Sequence, residues 1–292
     1  MTLPMHDTVV AYPSGATSNP ATVLHVTRLA DGRAVVLLDT TSCHPVDAGW
    51  PDQGADRASL RTAAGADIPI VDCVVAATDG RSLYLGADIP VRKGEDGWAF
   101  VVAHVLADDA GVADGDAVEV LVDADYRRAL SVGHTACHVA SLALNRALAD
   151  RWTKQARVDG LGSPDFDGLA IESSIIGENG SVDRFRLNKS LRRKGFATDA
   201  LADELARIQE TVDATLARWS GAGAQVSIDR DGDGLTDRRY WACELDDTAV
   251  RIPCGGTHAR SLAELGSLHV ELELADADGT PVLTMTTSAS PR

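Results

Sequence analysis

The chain has no apolar run long enough to span a bilayer, and Met1 to Pro13 has neither the basic flank nor the apolar stretch of a secretory leader. It also lacks a disulfide framework. Its five cysteines, Cys43, Cys73, Cys137, Cys243 and Cys254, are odd in number and widely scattered, the usage of reduced thiols in a cytosolic compartment. Positive charge is scarce: 27 Lys and Arg stand against 43 Asp and Glu, a formal net charge of −16. Such acidity repels phosphate backbones at long range and argues against a general nucleic-acid binder. The expectation is a soluble cytoplasmic protein with no membrane partner. At 292 residues the chain has room for two domains, each with its own core.

What is present begins with His134-Thr135-Ala136-Cys137-His138. Residues four apart on a helix lie one above the other, so His134 and His138 can aim two imidazoles at one point. A second pair with the same spacing, Cys254 and His258, sits in Cys254-Gly255-Gly256-Thr257-His258. Pro253 before it and the two glycines inside it favour a loop or strand end over a helix. Three imidazoles and one thiolate suit a single Zn²⁺. With all four side chains bound the site is closed and structural. With one of them loose, water takes the open position and the ion can do chemistry. The sequence leaves both readings open.

Residues 1–125 read as β-rich. Runs such as Ala34 to Leu38, Ile70 to Val75, Ser82 to Leu85 and Phe100 to Ala103 are bounded by Gly, Asp or Pro and fit a small barrel or sandwich. Between them, Leu38-Asp39-Thr40-Thr41-Ser42-Cys43-His44-Pro45 leads into a loop from Asp47 to Gly54, a wall for a polar pocket or an ordinary turn-rich connection. From residue 126 the pattern becomes helical. One helix is expected from about Ser131, as N-cap, to about Ala156, and another from Asp199 to Ser220, closed by Gly221. Asp229 to Asp237 imitates the start of a calcium loop, but Tyr240 occupies the twelfth position, where an acid is needed, and a hairpin turn explains the same residues. Arg184, Arg186, Lys189, Arg192, Arg193 and Lys194 form the one dense basic run, either a solvated face or a phosphate-contacting patch. Residues 126–292 thus read as a sheet with helices on it, an α+β layer structure.

With both ligand pairs placed, the chain resembles the freestanding alanyl-tRNA editing proteins, whose C-terminal domain is similar to the editing domains of alanyl- and threonyl-tRNA synthetases. The matching residues are His134 to His138, Arg251-Ile252-Pro253-Cys254-Gly255-Gly256-Thr257-His258, and Leu38-Asp39-Thr40-Thr41 leading to Pro45, with Gly49 and Pro51 beyond. The resemblance implies a β-barrel followed by a two-layer α/β editing domain. It implies that His134, His138, Cys254 and His258 carry zinc, and that His134 and Cys254 serve catalysis together with Thr41, which lines the amino-acid pocket. It further implies an aminoacyl-tRNA partner whose ester is hydrolysed when the amino acid is wrong. The loop departs from the family pattern: Cys43 and His44 replace an aromatic pair, Val46 an acid, and Trp50 a Gln. The pocket lining is altered while the metal ligands are kept.

Zinc would supply hydroxide near neutral pH or polarise the ester carbonyl, and the Gly255-Gly256 backbone offers N–H groups to a developing oxyanion. A site built to hydrogen-bond a hydroxyl rejects analogues lacking it by roughly 10⁴-fold or more. Thr41, with His44 and Trp50 beside it, is placed to make that contact. The expected substrate is a small β-hydroxy amino acid on tRNA. Serine on alanine tRNA is the family default, and a threonine analogue such as fluorothreonine, cleared as self-resistance in a producer organism, is the specialised case. The competing readings are a zinc-stabilised tRNA-binding module without turnover, and a hydrolase or acyl transferase acting on another small ester.

Overall fold

The computed structural model describes residues 3–108 and 111–291 and shows a mixed α and β protein built on several sheets. The chain divides into two compact units. The first is Met1–Arg127 with Ile228–Arg239 and Cys254–Thr257, and the second is Arg128–Ser227 with Tyr240–Pro253 and His258–Arg292. No helix among the described residues is long and apolar enough to cross a membrane.

The first unit is built on one seven-stranded sheet. Its order is Ala58–Thr62, Ala117–Val122, Ser18–Arg28, Ala34–Leu38, Ala99–Leu106, Asp67–Thr78 and Leu83–Leu85. Ala58–Thr62 also pairs with Asp67–Thr78, so the ladder of hydrogen bonds returns to the strand it started from. Every residue of Ala34–Leu38 is buried. Val36 and Leu38 join Leu60, Val75, Phe100, Val102 and Val120 on one face, and Val35 and Leu37 join Val101, Ala103 and Val105 on the other. A run apolar at every position suits a strand covered on both sides. Val9–Val10 adds a short parallel pairing with Thr40–Thr41, and so fixes the start of the polar loop.

Helix α1 (Ala124–Ala147) leads into the second unit. It starts well before Ser131, because the Asp123 carboxylate accepts from the N–H groups of Asp125 and Tyr126, at 3.1 and 3.0 Å, and so caps it. Ser131 is therefore buried inside the helix rather than at its end. From Leu130 to Asn145 all residues but His138 are buried, as expected of a helix packed on every side. The rest of the unit carries a four-stranded sheet ordered Ile171–Gly177, Gly180–Arg186, Thr280–Ser290 and Ser267–Ala277. Leu283 and Met285 point into the core, as their alternation predicts. Helix α2 (Phe166–Ala170) and helix α3 (Lys189–Arg193) are single turns flanking this sheet in sequence.

Helix α4 (Leu201–Ala222) ends at Gly223, whose φ of 65° is the left-handed conformation that glycine adopts at little cost. It lies against the edge strand Ser267–Ala277 and caps its open backbone groups. Asp213 accepts from the N–H of Val270 at 2.9 Å, and Gln209 from that of Leu272 at 3.0 Å. A covered edge does not recruit a foreign strand.

Gly133 fixes how closely α1 approaches the sheet. A Cβ there would sit 2.3 Å from the Gly177 carbonyl oxygen and 2.7 Å from that of Gly180, both backbone atoms of the adjoining hairpin. Gly133→Ala is therefore expected to destabilise the second unit by about 1–3 kcal/mol, the usual cost of overpacking. Thermal unfolding followed by circular dichroism measures this, and an unchanged midpoint would refute the tight approach.

Candidate metal centre

The two histidines of α1 lie on one face, as their spacing requires, with ring centroids 5.0 Å apart. His258 joins them in the second unit, 4.4 Å from His134 and 5.1 Å from His138. One ligand atom from each of His134, His138, Cys254 and His258 lies within 4.8 Å of all the others. The sequence-predicted set of four is therefore one group.

The surroundings suit a cation. Nε2 of His138 is buried without a hydrogen-bond partner, a lone pair or proton left unmatched. Burial pushes the His138 pKa down to about 4, so the ring is neutral, the form that binds metal. Burial raises the Cys254 thiol to about 12, opposed by the Gly256 backbone N–H, which points at the sulfur. A thiolate there calls for a bound cation, so binding releases a proton. Thr135, inside the first motif, holds the second: its Oγ1 accepts from the Ala259 N–H at 3.0 Å and lies 3.3 Å from His258 Nδ1. With Nδ1 engaged by Thr135, Nε2 is the nitrogen that His258 would offer to a metal.

The remaining predicted residues are placed as follows. Thr41 is fully buried, with Oγ1 2.8 Å from His104 Nε2 and accepting from the Cys43 N–H at 3.0 Å. His44 is buried beside Tyr12, whereas Trp50 is 62 % exposed. Gln53, three residues beyond Trp50, turns inward instead. Its amide donates to Thr257 Oγ1 at 2.9 Å and accepts from the Thr257 N–H at 3.0 Å, holding the residue next to His258 by both ends. Gly255 is exposed and Gly256 buried. Of the basic run, Arg184 and Arg186 share Glu172 at 3.8 and 2.8 Å, while Lys189, Arg192, Arg193 and Lys194 are exposed.

Sequence reasoning missed Thr135, Thr257, Gln53 and His104. Two of them lie inside the ligand motifs, and His104 is a lone polar residue in an apolar strand, so each carried a signal. Cys43, Cys73 and His104 make a second His/Cys group, but Nδ1 of His104 already bonds the Val36 carbonyl at 3.1 Å and Nε2 bonds Thr41. Among the described residues, the carboxylates of Asp229 to Asp237 form no comparable group. Asp237 instead accepts from the Gly234 N–H within its own turn.

No family model matches the chain. Over 234 residues it is 26 % identical to alanyl-tRNA editing protein AlaX-M of Pyrococcus horikoshii, covering 80 % of this chain and 77 % of that protein. The alanine–tRNA ligases of Frankia alni and Halobacterium salinarum are 29 % and 26 % identical over 57 % and 89 % of the chain. The chain is similar to the alanyl-tRNA editing proteins. It spans only 17 % and 23 % of the two ligases.

Through Cys137 and Ser141, α1 also packs on a buried acidic group. Asp183 accepts from Cys137 at 3.4 Å, Ser174 at 2.5 Å and Ser181 at 2.8 Å. Burial, and then the Asp183 charge, raises Asp167 from 3.8 to about 7. The folded state thus binds more protons than the unfolded chain between these values, and stability falls as pH rises through the window, with the loss complete above it. Urea unfolding should therefore show a higher midpoint near pH 5 than near pH 8, a difference that Asp167→Asn reduces. Identical slopes in both proteins would refute the assignment.

Proposed function

We propose that the protein is a trans-acting, zinc-dependent aminoacyl-tRNA deacylase of the cytoplasm, in which the first unit is a small β-barrel and the second carries the metal-dependent editing fold. The observation that carries this reading is the convergence of three imidazoles and one thiol in one group, with His138 Nε2 buried and unpartnered. The names of the similar proteins, alanyl-tRNA editing protein and alanine–tRNA ligase, support the choice of substrate.

His134, His138, Cys254 and His258 would hold the ion, and Zn²⁺ bound there supplies Lewis acidity toward an ester carbonyl and activates water near neutral pH. The protein's own groups do the rest. Thr135 orients His258, Gln53 braces Thr257, and the exposed Gly255 leaves backbone free to approach a developing oxyanion. Water adds to the ester carbonyl, the bond to the tRNA 3′ oxygen breaks, and the amino acid leaves as a carboxylic acid while that oxygen takes the proton. The substrate class is a small β-hydroxy amino acid. Lys189, Arg192, Arg193 and Lys194 meet the tRNA phosphates.

A panel of purified seryl-, alanyl-, threonyl- and fluorothreonyl-tRNAs tests the activity directly. At least one hydroxylated ester should be hydrolysed. His134→Ala and Cys254→Ala should each lower the bound zinc and cut turnover at least 100-fold, about 3 kcal/mol of barrier. A folded protein that binds zinc yet releases no amino acid would be a binding module instead. Arg192→Gln with Arg193→Gln should weaken tRNA binding and reduce the slope of log K against log salt by about 1 per lost contact. An unchanged slope in filter binding would make the basic run a solvated face.

A further inference from the structure

Buried polar atoms without a partner are uncommon, because each has given up its bonds to water and gained nothing. His44 carries such an atom. The residue is 6 % exposed, and its Nδ1 is buried and unpartnered. The backbone around it is otherwise well bonded: the His44 N–H donates to Asp56 at 2.5 Å, and the Arg127 guanidinium grips Asp56 and donates to the Ser42 carbonyl at 2.8 Å. In the tautomer that carries its proton on Nε2, Nδ1 of the neutral ring presents a bare lone pair. Burial takes the His44 pKa down to about 4, so the ring stays neutral in the physiological range.

The position of this acceptor is fixed within the first unit. The Tyr12 ring meets His44 edge-on at 5.0 Å, Arg239 donates to the Tyr12 hydroxyl at 3.1 Å, and the Arg239 carbonyl accepts the Cys254 N–H at 3.0 Å. Three direct contacts thus connect the metal-ligating cysteine to an empty acceptor. Its electrostatics select the donor. Asp56 is matched by Arg127, while Arg239 makes no ion pair among the described residues and its Nε is also buried and unpartnered. A charged donor would lose its hydration in so buried a place, whereas a neutral hydroxyl has little to lose and is the favoured partner.

We propose that Nδ1 of His44 accepts a hydrogen bond from the side-chain hydroxyl of the amino acid carried by the substrate, which makes His44 a specificity-determining residue; this rests on the deacylase reading above. A hydroxyl satisfies the acceptor, and a hydrogen or methyl group in its place leaves it bare. Discrimination therefore arises at the side chain and not at the ester bond.

Binding of non-hydrolysable 3′-amide analogues of seryl- and alanyl-adenosine, measured by calorimetry on the zinc-loaded protein, separates these contributions. His44→Phe should weaken the seryl analogue about 10- to 100-fold and leave the alanyl analogue within about twofold, with His44→Asn, which keeps an acceptor, restoring most of the difference. Equal weakening of both analogues, or none, overturns the assignment while hydrolysis in the tRNA panel preserves the deacylase reading. Wild-type protein that binds neither analogue and cleaves no ester overturns both. Zinc content and melting temperature of the two variants show whether a change at His44 is local.

Discussion

The close approach of helix α1 to the hairpin turn at residues 177–180 fixes the element that carries two of the three imidazoles. The absence of a side chain at Gly133 lets the helix backbone approach the hairpin at distances that no Cβ would allow. His134 is the next residue, so the helix surface carrying His134 and His138 is set by a contact on another face of the same turn. Thr135 then holds the segment with Ala259 and His258, and the third imidazole inherits the same frame. A rigid helix and a tied loop hold the ligands with less disorder to remove on binding than two free loops would.

Burial then decides the chemistry of that point. A neutral His138 and a protonated Cys254 are what a dry environment imposes. A divalent ion reverses the balance for the thiol, because the new positive charge outweighs the desolvation that kept the proton on sulfur. Metal affinity and proton release are consequently coupled, and the unmatched Nε2 of His138 is resolved in the same event. The same helix meets Asp183 and Asp167 through Cys137 and Ser141, so one element carries both a site that calls for positive charge and a neighbour that resists further negative charge.

Much of this was legible in the sequence, for identifiable reasons. The ligand spacing obeys the helical repeat, and the apolar strands of the first unit are dense enough to be recognised without their partners. Ser131 was misleading, because a hydroxyl residue before a periodic run imitates a cap, and only the capping bonds of Asp123 show where the helix begins. Trp50 and Gln53 illustrate a different limit. In a turn-rich loop, side-chain direction follows no period, so which residue faces inward depends on where the loop closes. The inclusion of Ile228–Arg239 and Cys254–Thr257 in the first unit was likewise hidden, because contact between segments distant in sequence leaves no local pattern.

The contrast between the two His/Cys groups shows why composition of a cluster is not enough to name a site. Cys43, Cys73 and His104 offer ligand types as good as those of the metal centre, and all three are fully buried. Yet both nitrogens of His104 are spent, one on a strand carbonyl and one on Thr41, so a metal would have to break a bond that the fold already makes. His138 is the reverse case: its Nε2 has lost water and found nothing. The same accounting sets His44 apart from the other buried imidazole of the first unit, since His104 completes its own bonding and His44 does not. His44 and His138 are not alone in carrying a buried polar atom without a partner, but in each the atom is a ring nitrogen, the kind of group that a metal or a hydroxyl from outside can satisfy.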